Sequence, residues 1–257
     1  MNSDAIKNKP SVDSDRMLKL ADETLAIESH ALESLRKRFI EEDAEHFIQS
    51  VTLLLNCKGR VVVSGMGKSG HIGRKIAATL ASTGTPAMFV HPGEAAHGDL
   101  GMITHDDVFI ALSYSGEANE LMSIAPIIKR MGTKLIAMTG RPDSSLAQLA
   151  DVHLNVHVEK EACPLNLAPT ASTTTTLALG DALAVAVLEA LEGQVVRAEH
   201  HILRRDGDGA AVLRAQEVVG GEHQQACLGL CLGGQGDMDG HLVAVEVGVE
   251  GGAVQGV

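Results

Sequence analysis

Five short runs rich in β-branched and other apolar residues, RVVVSG, AMFVH, VFIALSY, KLIAMTG and VHLNV, lie between Arg60 and Val156, and residues 69–82, 118–130, 144–150 and 172–191 carry helical spacing. Strands that alternate with helices of this kind do not close as hairpins. They form a parallel sheet whose two faces are covered by helices. The fold class expected is therefore α/β, a three-layer sandwich on a five-stranded parallel sheet. Ahead of it, from Ser14 to Cys57, apolar residues such as Met17, Leu20, Leu32, Phe47 and Leu54 recur three to four positions apart among charged ones, which predicts two amphipathic helices. After Leu191 the character changes, because 14 of the 27 glycines lie between Glu192 and Val257 with no aromatic residue among them. Such a stretch buries too little apolar surface to offset its ordering entropy. The organisation expected is N-terminal helices over 1–56, an α/β domain over 57–191, and a poorly ordered or loosely attached Gly-rich tail over 192–257.

Charge narrows the classes of function. A formal net charge of −12 and the lack of a basic stripe argue against nucleic acid and against an anionic membrane surface as partners. A small anion is still compatible, since local dipoles and one or two cations hold it within a Debye length. No apolar stretch is read as long enough to cross a bilayer and Met1 to Lys9 is polar, so the cytoplasm is the compartment expected. Cys57, Cys163, Cys227 and Cys231 suggest neither a disulfide framework nor a zinc spacing and read as reduced thiols.

Three of the strand-to-helix junctions are small and rich in hydroxyls: SGMGKSG (Ser64–Gly70), SYSGEANE (Ser113–Glu120) and TASTTTT (Thr170–Thr176). Helix N-termini leave backbone N–H groups unpaired, and Ser and Thr add donors there, so an anionic oxygen is well placed. In the first junction the glycines allow a tight bend and close approach to a ligand, and Lys68 stands where a cation meets a substrate oxygen. The spacing is not that of a P-loop, and the dinucleotide fingerprint is incomplete. In the second, Ser115 and Glu117 are explained by helix capping and dipole complementation alone, whereas Ser113 and Glu120 are not. In the third, consecutive threonines are poor helix formers, which points to a use for their hydroxyls, Thr173 and Thr174 above all. Between strands two and three, HPGEAAHGDLG is dense in titratable groups. His91 and His97 are too far apart for a metal pair on one helix, and a loop histidine is more often a hydrogen-bonded surface residue than a ligand.

In GMGKSGHIGRKIAATLASTGTPAMFVHPGEAAHGDLG, SGEANE, TGRPDSSLAQLADVHL and KEACPLNLAPTASTTTTLALGDALA the chain closely resembles the sugar isomerase (SIS) domain family. Within that family it is most similar to the arabinose 5-phosphate isomerases, and the likeness covers roughly Ser14 to Leu191. It implies the SIS fold, a flavodoxin-like arrangement, with a phosphosugar as the small-molecule partner. It places Lys68, His97, Glu120 and Glu161 on catalytic positions. Gly84, Thr85, His97, Ser123, His157, Val158 and Glu159 fall on substrate-contacting positions, and His91 on one where zinc binds as an inhibitor. No cofactor is required by the reaction the family implies. Members of the family continue after the last helix with a Ser-His-Pro-Gly-Gly turn and paired cystathionine-β-synthase-type modules. Here the chain reads GQVVRAEHHILRRDGDG. His200 and His201 lie near the expected histidine but lack the Pro-Gly-Gly, so that role is not transferred to them.

The function expected is interconversion of D-ribulose 5-phosphate and D-arabinose 5-phosphate, which supplies the 3-deoxy-octulosonate sugar of lipopolysaccharide. Its chemistry moves one proton between adjacent carbons through an enediol. Glu120 or Glu161 is the base, Lys68 and His97 face the enediolate oxygens, and Ser113, Ser115, Thr173 and Thr174 anchor the substrate. The alternative is a sugar-phosphate sensing module without turnover, favoured by the missing histidine segment. A homotetramer is expected, because the family builds sites between subunits and the helices before Cys57 have more apolar face than one sheet needs.

Overall fold

The computed structural model describes residues 13–95 and 98–202. Val12 and earlier residues, Ala96 and His97, and the residues after Ile202, which make up most of the 192–257 tail expected from the sequence, lie outside the described residues; residues 192–202 continue the last helix. One compact unit ends at Ala190.

Helix α1 (Ser14–Arg38) starts where the Asp13 carboxylate accepts the Arg16 N–H at 3.1 Å and ends on Arg36, Lys37 and Arg38, so charge complements the helix dipole at its C-terminus. Instead of a break, a π-helical turn, Phe39–Asp43, carries it into α2 (Ala44–Leu55). That turn is fastened by edge-to-face packing of Phe39 on Phe47, with centroids 4.8 Å apart, and by Arg38. The Arg38 guanidinium donates to Asp43 at 3.2 Å and to the carbonyls of Asn155 (3.0 Å) and His157 (3.3 Å).

The strands are β1 (Val61–Gly65), β2 (Ala87–Phe89), β3 (Val108–Leu112), β4 (Lys134–Thr139) and β5 (Val152–Asn155). All are parallel, in the order β2-β1-β3-β4-β5. The expected five-stranded α/β architecture is what forms. Every residue of β1 and of β3 is buried, as a central strand covered on both faces requires. One face of the sheet (Val62, Phe109, Ala111, Leu135, Ala137) packs against α5 (Asn119–Arg130) and α6 (Ser145–Leu149) through Leu121, Ile124, Ile128 and Leu146. The other receives α3 (Gly67–Ser82), where Gly73 lets the helix approach: a Cβ there would sit 3.2 Å from Leu112 Cδ1. Each fully buried Leu, Ile or Phe adds about 1.5–3 kcal/mol relative to exposure. A short helix, α4 (Pro92–Ala95), and a 3-10 turn (Asp99–Met102) occupy the loop after β2.

Helix α7 (Ala171–Ile202) is the last described element, and its residues up to Ala190 belong to this unit. Its segment Ala171–Gly193 is 23 residues with mean hydropathy 1.5, which corrects the expectation that no apolar stretch reaches membrane-spanning length. Part of that apolar character goes into packing, since Leu179, Leu183, Ala184 and Val187 are buried, while Val185 stays exposed. A Cβ at Gly180 would come within 2.6 Å of Ile76 Cγ1 of α3, and Asp181 pairs with Lys75.

Candidate active site

In the order β2-β1-β3-β4-β5 the connections leave β1 and β3 in opposite directions, so a crevice opens between their carboxyl ends, where open α/β sheets bind ligands. Gly65 at the end of β1 pairs with Leu112 at the end of β3, which sets the first two hydroxyl-rich junctions side by side. The first needs its glycines. Gly67 has φ +52°, and a Cβ on Gly70 would lie 2.6 Å from the Gly65 carbonyl oxygen. Met66 precedes α3 in an extended conformation and supplies no side-chain cap, so among the described residues the first N–H groups of this 16-residue helix have no side-chain acceptor. Lys68 stands exposed on that first turn.

The second junction is held by its own hydroxyls. Ser113 Oγ accepts the Gly116 N–H at 3.1 Å and Ser115 Oγ accepts the Glu117 N–H at 3.2 Å. Both serines act as acceptors, and among the described residues neither hydroxyl proton has an acceptor. Gly116, at φ +69°, passes directly over Ser144. Glu117 does not complement α5, as capping logic suggested. It accepts the Ser145 N–H of α6 at 2.7 Å, and that bond from Ser145 holds its carboxyl below the usual carboxylate range. Ala118 therefore precedes α5 with no side-chain cap. Glu120 is exposed on the first turn of α5, and Ser123 Oγ donates to the Glu120 carbonyl at 2.7 Å.

The third junction differs. Glu161 Oε2 accepts from Thr170 N (2.7 Å), Thr170 Oγ1 (3.0 Å) and Ser172 N (3.2 Å), capping α7 from ten residues upstream. Partial burial pushes the Glu161 carboxyl up, but the bonds from Ser172 and Thr170 outweigh it and leave it below its ordinary range. The threonine hydroxyls, expected to face a ligand, turn into the protein. Thr173 donates to the Thr170 carbonyl at 2.8 Å, Thr174 to Glu28 of α1 at 2.9 Å, and Thr176 to the Ser172 carbonyl at 2.7 Å. Helices α6 and α7 thus begin on side-chain caps, whereas α3 and α5, which flank the crevice, do not.

Beside this rim, His157, Glu159 and Lys160 line a cavity of about 430 Å³ with His30 and Arg38 of α1. Val158 between them is buried, and its backbone is held by Tyr114 of the second junction. Glu161 borders a neighbouring cleft of about 320 Å³ with Lys160 and Cys163. The backbone N–H groups of Ala168, Leu167 and Leu165 draw the Cys163 thiol below its usual range. His91 sits past the carboxyl end of β2, and its Nδ1 accepts the Gly93 N–H at 3.2 Å, leaving Nε2 for another partner. Among the described residues no group of three or more His, Cys, Asp or Glu could hold a metal ion.

Two residues are not brought to this rim within one chain. Gly84 and Thr85 precede β2, so they lie at the amino edge of the sheet, roughly 20 Å along the strand direction from the Gly65 level. Three residues that shape the rim escaped the sequence: Arg38, whose carbonyl partners are more than a hundred residues away, Tyr114, and Gly140 beneath the Tyr114 ring. The lone tyrosine inside a hydroxyl-rich turn was the only available signal.

The SIS domain family model matches residues 54–186. Arabinose 5-phosphate isomerase KdsD of Pseudomonas aeruginosa is 60% identical over 170 residues, which is 66% of this chain and 51% of that protein. Its namesake from Escherichia coli K12 is 61% identical over 168 residues, 65% of this chain and 50% of the relative. The chain thus spans about half the length of these curated relatives. Among solved structures, a protein of E. coli CFT073 in complex with A5P superposes with a TM-score of 0.66 at 42% identity, covering 71% of this chain and 94% of the other.

Proposed function

This chain belongs to the SIS domain family, and we propose that its crevice binds a pentose 5-phosphate and interconverts D-ribulose 5-phosphate with D-arabinose 5-phosphate. The observation that carries this is the pair of uncapped helices at the switch point, α3 and α5, with the hydroxyl protons of Ser113 and Ser115 unclaimed between them. That set of donors suits a phosphate. In the reaction a carboxylate removes a proton from C1 of the ketose, the electron pair forms the C1=C2 bond, and the carbonyl oxygen becomes an enediolate. Passage of the O1 proton to O2 and return of the abstracted proton to C2, as the C1=O bond forms and the C1=C2 bond is lost, gives the aldose. We assign the transfer to Glu120, because three donors on Oε2 make Glu161 a weaker base. Lys68 faces the developing negative oxygen. The role of His97 rests on family likeness, as does substrate contact by Ser123, His157, Val158 and Glu159.

The reaction needs no redox cofactor, and zinc at His91 Nε2 would act as an inhibitor, since one imidazole makes no structural site. We further propose a cytoplasmic homotetramer that supplies lipopolysaccharide precursor. Met17, Leu18, Leu25 and Ile48 expose apolar surface on α1 and α2, and Gly84 and Thr85 reach a substrate only from a neighbouring copy. Incubation of the full chain with ribulose 5-phosphate, followed by proton NMR, should show the arabinose anomeric signals. Thermal stabilisation by the sugar phosphate without product would instead make this a binding module.

A further inference from the structure

Strand β5 ends at Asn155, and the last ladder bond beyond it runs from Val156 N–H to the Thr139 carbonyl at 2.9 Å. Two residues later Val158 is buried and has no strand beside it, so its N–H and C=O would be orphaned. The Tyr114 hydroxyl takes the place of the missing strand. It accepts the Val158 N–H at 3.2 Å and donates to the Val158 carbonyl at 3.2 Å, using both capacities of a phenol on one residue. Its ring packs with the cluster of Ala31, Val158 and Ala171. Gly140 at the end of β4 completes the junction. Its N–H donates to the Tyr114 carbonyl at 2.9 Å, its carbonyl lies 3.2 Å from His157 Nδ1, and a Cβ there would come within 2.7 Å of Tyr114 Cζ.

We propose that Tyr114 is a positioning residue of the isomerase site: its hydroxyl clasps the Val158 backbone so that the serine junction after β3 and the segment carrying His157, Glu159 and Glu161 move as one body. The proposal rests on the isomerase reading for the identity of the ligand. Tyr114 sits between Ser113 and Ser115, so an anion bound by those hydroxyls acts on the same turn that carries the clasp.

The chain contains one tyrosine and no tryptophan, so its intrinsic emission reports on Tyr114 alone. Arabinose 5-phosphate added to the full chain should change that emission saturably, with a midpoint matching KM. In Tyr114→Phe, kcat/KM should fall at least about tenfold, chiefly through KM, because two buried backbone groups lose their partner. Gly140→Ala, which keeps the hydroxyl but displaces the ring, should give the same kinetic defect. Wild-type kcat and KM in both variants, or emission indifferent to saturating substrate in an active wild-type protein, would overturn the clasp while leaving the isomerase reading intact. Absence of turnover in the wild-type chain would count against that reading instead. Amide exchange at Val158 then decides: acceleration in Tyr114→Phe supports the clasp, and an unchanged rate overturns it.

Discussion

Replacing Glu161 by Gln separates two roles that a carboxylate next to a helix can play. The Oε2 atom takes three donors, two of them the backbone N–H groups of Thr170 and Ser172 at the start of α7. The amide oxygen of Gln still accepts, but the negative charge is gone. A charge at a helix N-terminus contributes about 0.3–1 kcal/mol. Hydrogen bonds to a charged acceptor are worth about 1.5–3 kcal/mol against about 0.5–1.5 for neutral ones. Glu161 is only partly buried, so solvent screening reduces both effects, and a net loss of about 1 kcal/mol is expected. For a unit of this size that lowers Tm by about 2–4 °C, measurable by circular dichroism at 222 nm.

The dependence on pH sharpens the test. The folded protein holds the Glu161 carboxyl below its ordinary 4.5, so the unfolded chain binds the proton more readily. Its stabilising contribution is complete above 4.5 and is lost as pH falls through the lower folded value. The gap in Tm between wild type and Glu161→Gln should therefore be widest at neutral pH and close on acidification below 4.5. Catalysis should survive in substantial part, because the cap remains occupied. Equal melting temperatures at pH 7, or a gap independent of pH, would refute the capping argument. A loss of kcat beyond about a hundredfold with unchanged stability would return the base role to Glu161.

Glu120→Gln should cut kcat by about 10²–10⁴ with little change in KM or Tm, the signature of a base used in the transition state; steady-state kinetics with ribulose 5-phosphate checks it. Gly70→Ala drives a methyl against the Gly65 carbonyl oxygen and should lift the start of α3 from the crevice, so calorimetric titration should show weakened binding of arabinose 5-phosphate. Gly116→Ala combines a left-handed backbone, at about 1–2 kcal/mol, with collision against Ser144. It should destabilise by about 2–4 kcal/mol once overpacking is added, read from urea unfolding.

The central strands were legible because burial on both faces demands unbroken apolar runs, and VVVSG and VFIAL are written that way. Four-residue elements such as Pro92–Ala95 and Asp99–Met102 have too few turns to show a period, and they appeared only in three dimensions. Helix α3 starts two residues ahead of the helical spacing over 69–82, since Gly67 and Lys68 are helical without an apolar period to mark them. At the site, the convergence of the first two junctions followed from alternation of strand and helix, because parallel strands put all their carboxyl ends on one edge. The contents of that edge did not follow. Whether a hydroxyl proton is spent or free depends on the acceptor that the fold delivers: Thr174 finds Glu28, 146 residues away, while Ser113 and Ser115 find only N–H groups. A serine and a threonine read alike in sequence and end with opposite availability. The same logic separates the acids of SYSGEANE. Glu117 is taken by the N-terminus of α6, and Glu120, three residues later and on the next helix, makes no side-chain hydrogen bond among the described residues. The acid that capping does not consume is the one to which we assign the proton transfer.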